Sequence, residues 1–128
     1  MNQYNNTTKS IDKPDLSSRT KILGISIFKL FKNRKYSKLE ETIVIQTLRS
    51  GFSIGANYNE ATECESRRDF IHKISISKKE IKETLFWLDV AFNCDLISET
   101  VYKDLKQETH ELLLIFAKIV KTSRDNSH

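Results

Sequence analysis

Residues 48–73 read LRSGFSIGANYNEATECESRRDFIHK. Two glycines, Gly51 and Gly55, stand one turn apart in a segment whose apolar residues recur at helical period. Each glycine costs about 1 kcal/mol against alanine in a helix interior, so a helix that keeps both is expected to meet another backbone closely there. At about 100° per residue, Ile45, Leu48, Phe52 and Ala56 fall on one side of this helix and are read as its core stripe. Ile43, Thr47, Gly51, Ile54, Tyr58 and Ala61 fall nearly opposite, and Gln46, Arg49, Ser50, Ser53, Asn57 and Glu60 form the polar sector. A peripheral helix of a monomeric bundle needs one apolar face, and this one has two. The second is expected to serve either as extra burial inside the bundle or as a subunit interface.

Working outward, Ser37-x-x-Glu40 is a capping box that starts this helix at Lys38, and the pattern carries it to about Glu63. Ser66-x-x-Asp69 starts a third helix from Arg67 to about Asn93, with Phe70, Ile74, Ile81, Leu85, Leu88 and Phe92 as its core stripe. Ser98 followed by Glu99 starts a fourth to about Lys121, with Val101, Leu105, Leu112, Leu113, Phe116, Ile119 and Val120 inward. Upstream, a first helix is expected from Ser17 or Ser18 to Lys32, its apolar face made by Ile22, Ile25, Phe28 and Phe31. Short connections make consecutive helices antiparallel neighbours. The expected fold is therefore all-α, an antiparallel up-down four-helix bundle over residues 16–122, with a flexible arm at 1–15 and a flexible tail at 123–128. A chain of 128 residues with 38% hydrophobic content suits one such core.

The same stretches carry a resemblance. Arg49-Ser50-Gly51, Ser53-Ile54-Gly55-Ala56-Asn57, Glu60-Ala61, Ser66, Asp69-Phe70, Lys73, Lys79-Glu80, Glu83-Thr84 and Trp87-Leu88 match the signature of the short four helix bundle proteins. These are related to the rRNA intervening-sequence proteins and to accessory proteins of retroelement reverse transcriptases. Arg67 stands where that pattern usually has Lys. The resemblance covers about residues 20–122. It implies closed cyclic homo-oligomers, typically pentamers, and for some relatives nucleic-acid binding beside a reverse transcriptase.

Charge is unevenly spread. Residues 1–49 hold ten Lys/Arg against four Asp/Glu, whereas residues 50–128 hold eleven against thirteen. Lys29, Lys32, Arg34, Lys35 and Lys38 lie within ten residues, interrupted by Phe31 and Tyr36. Cations hold phosphates and aromatics stack on unpaired bases, so this segment is the candidate nucleic-acid site. A solvated helix end, its lysines favoured by the C-terminal dipole, is the plainer alternative. Ile43, Thr47, Gly51, Ile54 and Tyr58 are the candidate interface, together with Trp87 on the third helix, whose apolar body and single N–H suit either an interface or a fold-over onto the next loop.

Catalysis has little footing. Arg49, Ser53, Asn57 and Glu60 make a polar stripe, but Ser53 and Glu60 are two turns apart and no His joins them. Ion pairing with a neighbouring helix, through Asp69, Lys73 or Lys79, is the expectation. Glu80 with Glu83 and Glu108 with Glu111 read as solvated faces rather than metal sites. Cys64 and Cys94 have no zinc spacing with His72, His110 or His128. No cofactor or metal is expected, and the chain is expected to be a cytoplasmic non-enzyme: it shows neither an apolar run long enough to span a bilayer nor a secretory h-region.

Overall fold

The computed structural model describes residues 15–126. They form α1 (Leu16–Phe31), α2 (Lys38–Thr62), α3 (Arg67–Asn93) and α4 (Glu99–Asp125). Each start has a physical cause. Asp15 caps α1 by accepting the Ser18 N–H at 2.8 Å. Ser37 and Glu40 make the reciprocal capping box of α2, the Glu40 N–H donating to Ser37 Oγ at 3.2 Å and the Ser37 N–H to Glu40 Oε1 at 2.9 Å. Ser66 and Ser98 cap α3 and α4 by accepting from the N–H groups of Asp69 and Val101. The stops are equally local. Asn33 and Asp95 take the left-handed conformation, with φ of 65° and 63°, which these short polar residues tolerate. After α3 the Asp95 N–H reaches the Phe92 carbonyl and the Leu96 N–H the Ala91 carbonyl, a Schellman arrangement that turns Leu96 into the core.

α1 packs on α2, α2 on α3, α3 on α4, and α4 returns to α1, while the diagonal helices α2 and α4 meet through core side chains, Tyr58 against Phe116. Cross-helix contacts run in opposite order along each pair. Thr20 faces Gly55 while Ile27 faces Gly51; Ser77 donates to the Ile54 carbonyl while Thr84 meets Ser50. This is the antiparallel up-down bundle. α2, α3 and α4, at 25 to 27 residues, are each about 40 Å long; α1 has 16 residues and covers only part of that length. The expected arm at 1–15 lies, apart from Asp15, outside the described residues. Of the expected tail at 123–128, residues 123–125 continue α4, where the Arg67 guanidinium donates to the carbonyls of Ser123 and Asn126, and residues 127–128 lie outside the described residues.

The core stripes of α3 and α4 are placed as expected: Ile74, Ile81, Leu88, Leu112, Phe116 and Val120 are buried. Those of α1 and α2 are not. Ile22, Ile25 and Phe28 point outward and Leu23 and Ile27 fill the core in their place, while Phe31 of the expected face is buried as expected. On α2 the faces are exchanged for all of the expected stripe but Leu48, which packs against the core: Ile45 and Phe52 are 59% and 43% exposed, while Thr47 and Ile54 are sealed at 0%. The reason is shape. A methyl group on Gly51 would stand 2.9 Å from Ile27 Cδ1, and one on Gly55 would stand 2.9 Å from Thr20 Oγ1. The two glycines are the floor on which α1 lies, so the stripe that contains them faces inward. The α2–α3 seam is likewise built from small polar residues. Ser50, Ser77 and Thr84 are fully buried, Ser77 Oγ donating to the Ile54 carbonyl at 2.9 Å and Thr84 Oγ1 to the Glu80 carbonyl at 2.8 Å. Ser50, read as part of the polar sector, is thus a core residue.

Candidate functional site

The basic segment forms where α1 stops and α2 starts. Asn33 turns the chain out of α1, and the Ser37 capping box restarts it four residues later. Lys29, Lys32, Arg34, Lys35 and Lys38 are all exposed, and no ion pair among the described residues engages them. Lys29 also lies in the last turn of α1, where the dipole favours a cation. The aromatic half of the expectation is different. Phe31 is buried at 5% exposure, and half-buried Tyr36 packs edge-on against it, with ring centroids 5.9 Å apart. The Tyr36 hydroxyl is itself buried without a partner. These rings hold the turn to the core and present no face for a base to stack on. Exposed apolar side chains at this end include Leu39, in the first turn of α2, and Phe28, in the last turn of α1.

The residues expected at a subunit contact lie mostly inside the chain's own core. Thr47, Gly51 and Ile54 are buried and Ile43 and Tyr58 half-buried, with Tyr58 edge-on to Phe116 at 5.6 Å and its phenol held above its ordinary pKa chiefly by burial. A second subunit cannot reach this face without unfolding the first. The outward face is the other one. Ile22, Ile25 and Phe28 on α1 and Ile45 and Phe52 on α2 are each between 38% and 59% exposed. Phe52 crosses the seam, its ring lying where a side chain at Gly24 would be, 2.6 Å from the nearest added atom. Two neighbouring helices thus share one apolar patch, and Gly24 was the sequence signal for their contact.

The polar stripe is a set of ties from α2 to α3. The Arg49 guanidinium pairs with Glu80 at 3.3 Å and with Glu83, and it also holds Gln46 through Nε at 3.0 Å. Trp87 joins through its ring N–H, which donates to Glu83 Oε2 at 3.1 Å. Partial burial alone would raise the pKa of Glu83; the Trp87 N–H and the Arg49 guanidinium outweigh it and hold the carboxyl below its ordinary value. Glu60 pairs with Lys73 at 2.5 Å, and that hydrogen bond raises the lysine's pKa. Ser53 and Asn57 spend their donors on the carbonyls of Arg49 and Ser53 within α2. Every member of the stripe is therefore engaged, and Ser53 has no base beside it. Trp87 is half-buried and edge-on to exposed Phe86, with ring centroids 5.0 Å apart.

Arg19, one of the ten basic residues of the first 49, is not on the surface with the Lys29–Lys38 cluster but 8% exposed. It forks onto Glu108, through Nε at 3.0 Å and Nη2 at 2.6 Å, and reaches Glu111 at 3.1 Å. Those two carboxylates, read as a solvated face, instead tie α4 to α1, and the Glu108 hydrogen bond raises the arginine's pKa further above its ordinary value against the cost of burial. Among the described residues no three His, Cys, Asp or Glu side chains gather to hold a metal, and no helix is long and apolar enough to cross a membrane.

Comparison with known proteins agrees with this architecture. The chain is similar to a protein of unknown function from the S23 ribosomal protein family of Bacteroides thetaiotaomicron, whose crystal structure at 1.70 Å resolution superposes with a TM-score of 0.73. The two are 28% identical over 84% of this chain and 99% of that one. No curated protein matches. The family model described as 23S rRNA-intervening sequence protein matches residues 15–118, the whole of α1 to α3 and most of α4, and the chain belongs to that family.

Proposed function

We propose that this protein works without catalysis, as a homo-oligomeric bundle, a pentamer by the family resemblance, that offers a basic surface to nucleic acid or to a nucleoprotein such as a reverse-transcriptase complex. The observation that carries the reading is the cluster Lys29, Lys32, Arg34, Lys35 and Lys38: five exposed cations at one end of the bundle, none of them neutralised by an ion pair among the described residues. Copies arranged about an axis repeat the cluster and multiply its field. Support for assembly comes from the apolar patch of Ile22, Ile25, Phe28, Ile45 and Phe52, side chains that a lone chain leaves in water. With Phe31 and Tyr36 turned inward, recognition rests on charge, so little sequence preference and little preference for single strands is expected.

The test is a salt-dependent titration with RNA and DNA. Wild type should bind at low salt and weaken steeply as salt rises, by about 0.7–0.9 counterion per neutralised phosphate. Changing Lys32, Arg34, Lys35 and Lys38 together to Gln should leave folding intact and remove most of the salt-dependent affinity. A quadruple variant that binds like wild type, or a wild type that binds neither polymer, hands the role to a protein adaptor docking through the apolar patch.

A further inference from the structure

Two surfaces of the bundle are apolar and uncovered, and they differ in shape. One is a ridge on α4. Leu114 is 58% exposed there, and beside it Ile115 and Ile119 line a shallow apolar space. The other is the seam between α1 and α2, a groove of about 260 Å³ walled by Thr20, Lys21, Phe52 and Asn59 over a floor of Gly55 and Ala56. Each carries charge at its two ends, in opposite order. Glu111, Leu114 and Lys118 follow at three- and four-residue steps, so they share one ridge of α4; read away from the α1–α2 turn, they give acid, apolar, base. Along the seam in the same direction, Lys21 stands beside Phe52, Ala56 follows, and Glu63 closes α2: base, apolar, acid. Lys21, Glu63 and Lys118 are exposed, and none has an ion-pair partner among the described residues. Glu111, besides its bond to Arg19, keeps 41% of its side chain exposed. Spacing agrees with sign. Leu114 to Lys118 is about 6 Å of helix and Ala56 to Glu63 about 10 Å, a difference that the long lysine side chain spans.

We infer that the α4 ridge of one copy seats in the α1–α2 seam of the next, the two copies lying in the same orientation. Leu114 enters the groove beside Phe52, Glu111 meets Lys21, and Lys118 meets Glu63. The inference rests on the reading that this chain assembles with itself, and it names the surface that the outward patch of α1 and α2 meets. A single helix ridge fits between two helices, whereas two seams laid face to face would leave both grooves unfilled. The contact is therefore heterologous: each copy offers its ridge to one neighbour and its seam to another, which is the kind of contact that builds rings when it closes. The opposed charges fix direction and register more than they add affinity.

Disulfide trapping in the full chain tests it. In a background of Cys64→Ser and Cys94→Ser, the variants Leu114→Cys and Ala56→Cys are refolded together and oxidised. The mixture should give a covalent dimer containing one chain of each kind, and neither variant alone should give a dimer. Charge reversal gives a second readout: Lys118→Glu and Glu63→Lys should each weaken association about 2–10-fold, and the two combined in one chain should restore it. Both positions are exposed, so circular dichroism of the variants should match wild type. Light scattering separates the two ways to fail. A wild type that runs at the 14.9 kDa of one chain at micromolar concentration removes assembly and this contact with it. An assembled wild type in which Ala56→Cys links to itself, the mixed variants do not link, or the combined charge reversal fails to restore association overturns the seating of α4 and leaves the assembly reading standing.

Discussion

Gly51 and Gly55 differ in what a methyl group would strike. At Gly51 it meets only the free end of Ile27, at 2.9 Å; at Gly55 it meets Thr20 at Oγ1, at Cβ and at the backbone carbonyl carbon, the last at 3.5 Å. Thr20 cannot swing aside cheaply, because its hydroxyl donates to the Leu16 carbonyl at 2.8 Å. The helix gains about 1 kcal/mol from either Gly→Ala change. Gly51→Ala should therefore be near neutral, the Ile27 end rotating away, while Gly55→Ala should destabilise by about 1–3 kcal/mol through overpacking. Urea unfolding of the two variants checks the order, and a Gly55→Ala protein as stable as wild type would show that α1 is not seated on α2 as described. At Glu83 the argument is electrostatic. Its folded pKa lies below the ordinary 4.5, so the native state binds fewer protons than the unfolded one. The stability it contributes is present above pH 4.5 and is lost as pH falls through the lower folded value. With the Arg49 side chain 43% exposed, the contribution should stay under about 1 kcal/mol. Glu83→Gln should thus be slightly less stable than wild type at neutral pH, and the difference should shrink as the pH falls below 4.5, as measured by urea unfolding across that range.

Among the elements α1 is the one held by least. It is the shortest helix and rests on α2 through a seam of glycines. Its contact with α4 is the sparsest between adjoining helices and depends on the Arg19 fork to Glu108 and Glu111. Truncating Arg19 would leave Glu108 and Glu111, neighbours on α4, facing α1 without the guanidinium between them. Because both are partly exposed, the cost falls below that of a fully buried pair, and Arg19→Ala should lose about 1–3 kcal/mol. Hydrogen exchange should localise the change: amide protection should fall in α1 before α3. Uniform loss along all helices would mean that α1 is not a separable unit. The caps make the contrasting case. Ser37, Ser66 and Ser98 act through hydrogen bonds closed within four residues, which is why their positions were legible from sequence spacing.

For the whole molecule the open question is what covers the outward patch. Ile25, Phe28, Ile45 and Phe52 carry large apolar surface that the single chain does not bury. If copies of the chain meet there, changing Phe28 and Ile45 together to Gln should leave the monomer's unfolding free energy within about 0.5 kcal/mol, as for surface sites generally. Light scattering should then fall from an oligomer toward the 14.9 kDa of one chain. Wild type already running at that mass at micromolar concentration would remove the assembly proposal. The basic cluster and the patch adjoin through α1, so assembly and nucleic-acid affinity should change together in this variant while the quadruple Gln variant changes affinity alone.

Four helices, three of their caps, their short connections and the inward stripes of α3 and α4 were determined by the sequence, because each follows from the 3.6-residue period or from bonds that close within a turn. The placement of the exposed cations followed for the same reason: they crowd a helix end that polar residues terminate. Tertiary structure alone decided which face of α1 and of α2 points inward. Periodicity fixes the angle between two apolar stripes on a helix but not which of them finds a partner. Here close approach favoured the stripe of Thr47, Gly51 and Ile54 over the bulkier stripe of Ile45 and Phe52. The Arg19 fork was hidden for a related reason: it depends on a helix far along the chain, α4, brought alongside only when the bundle closes.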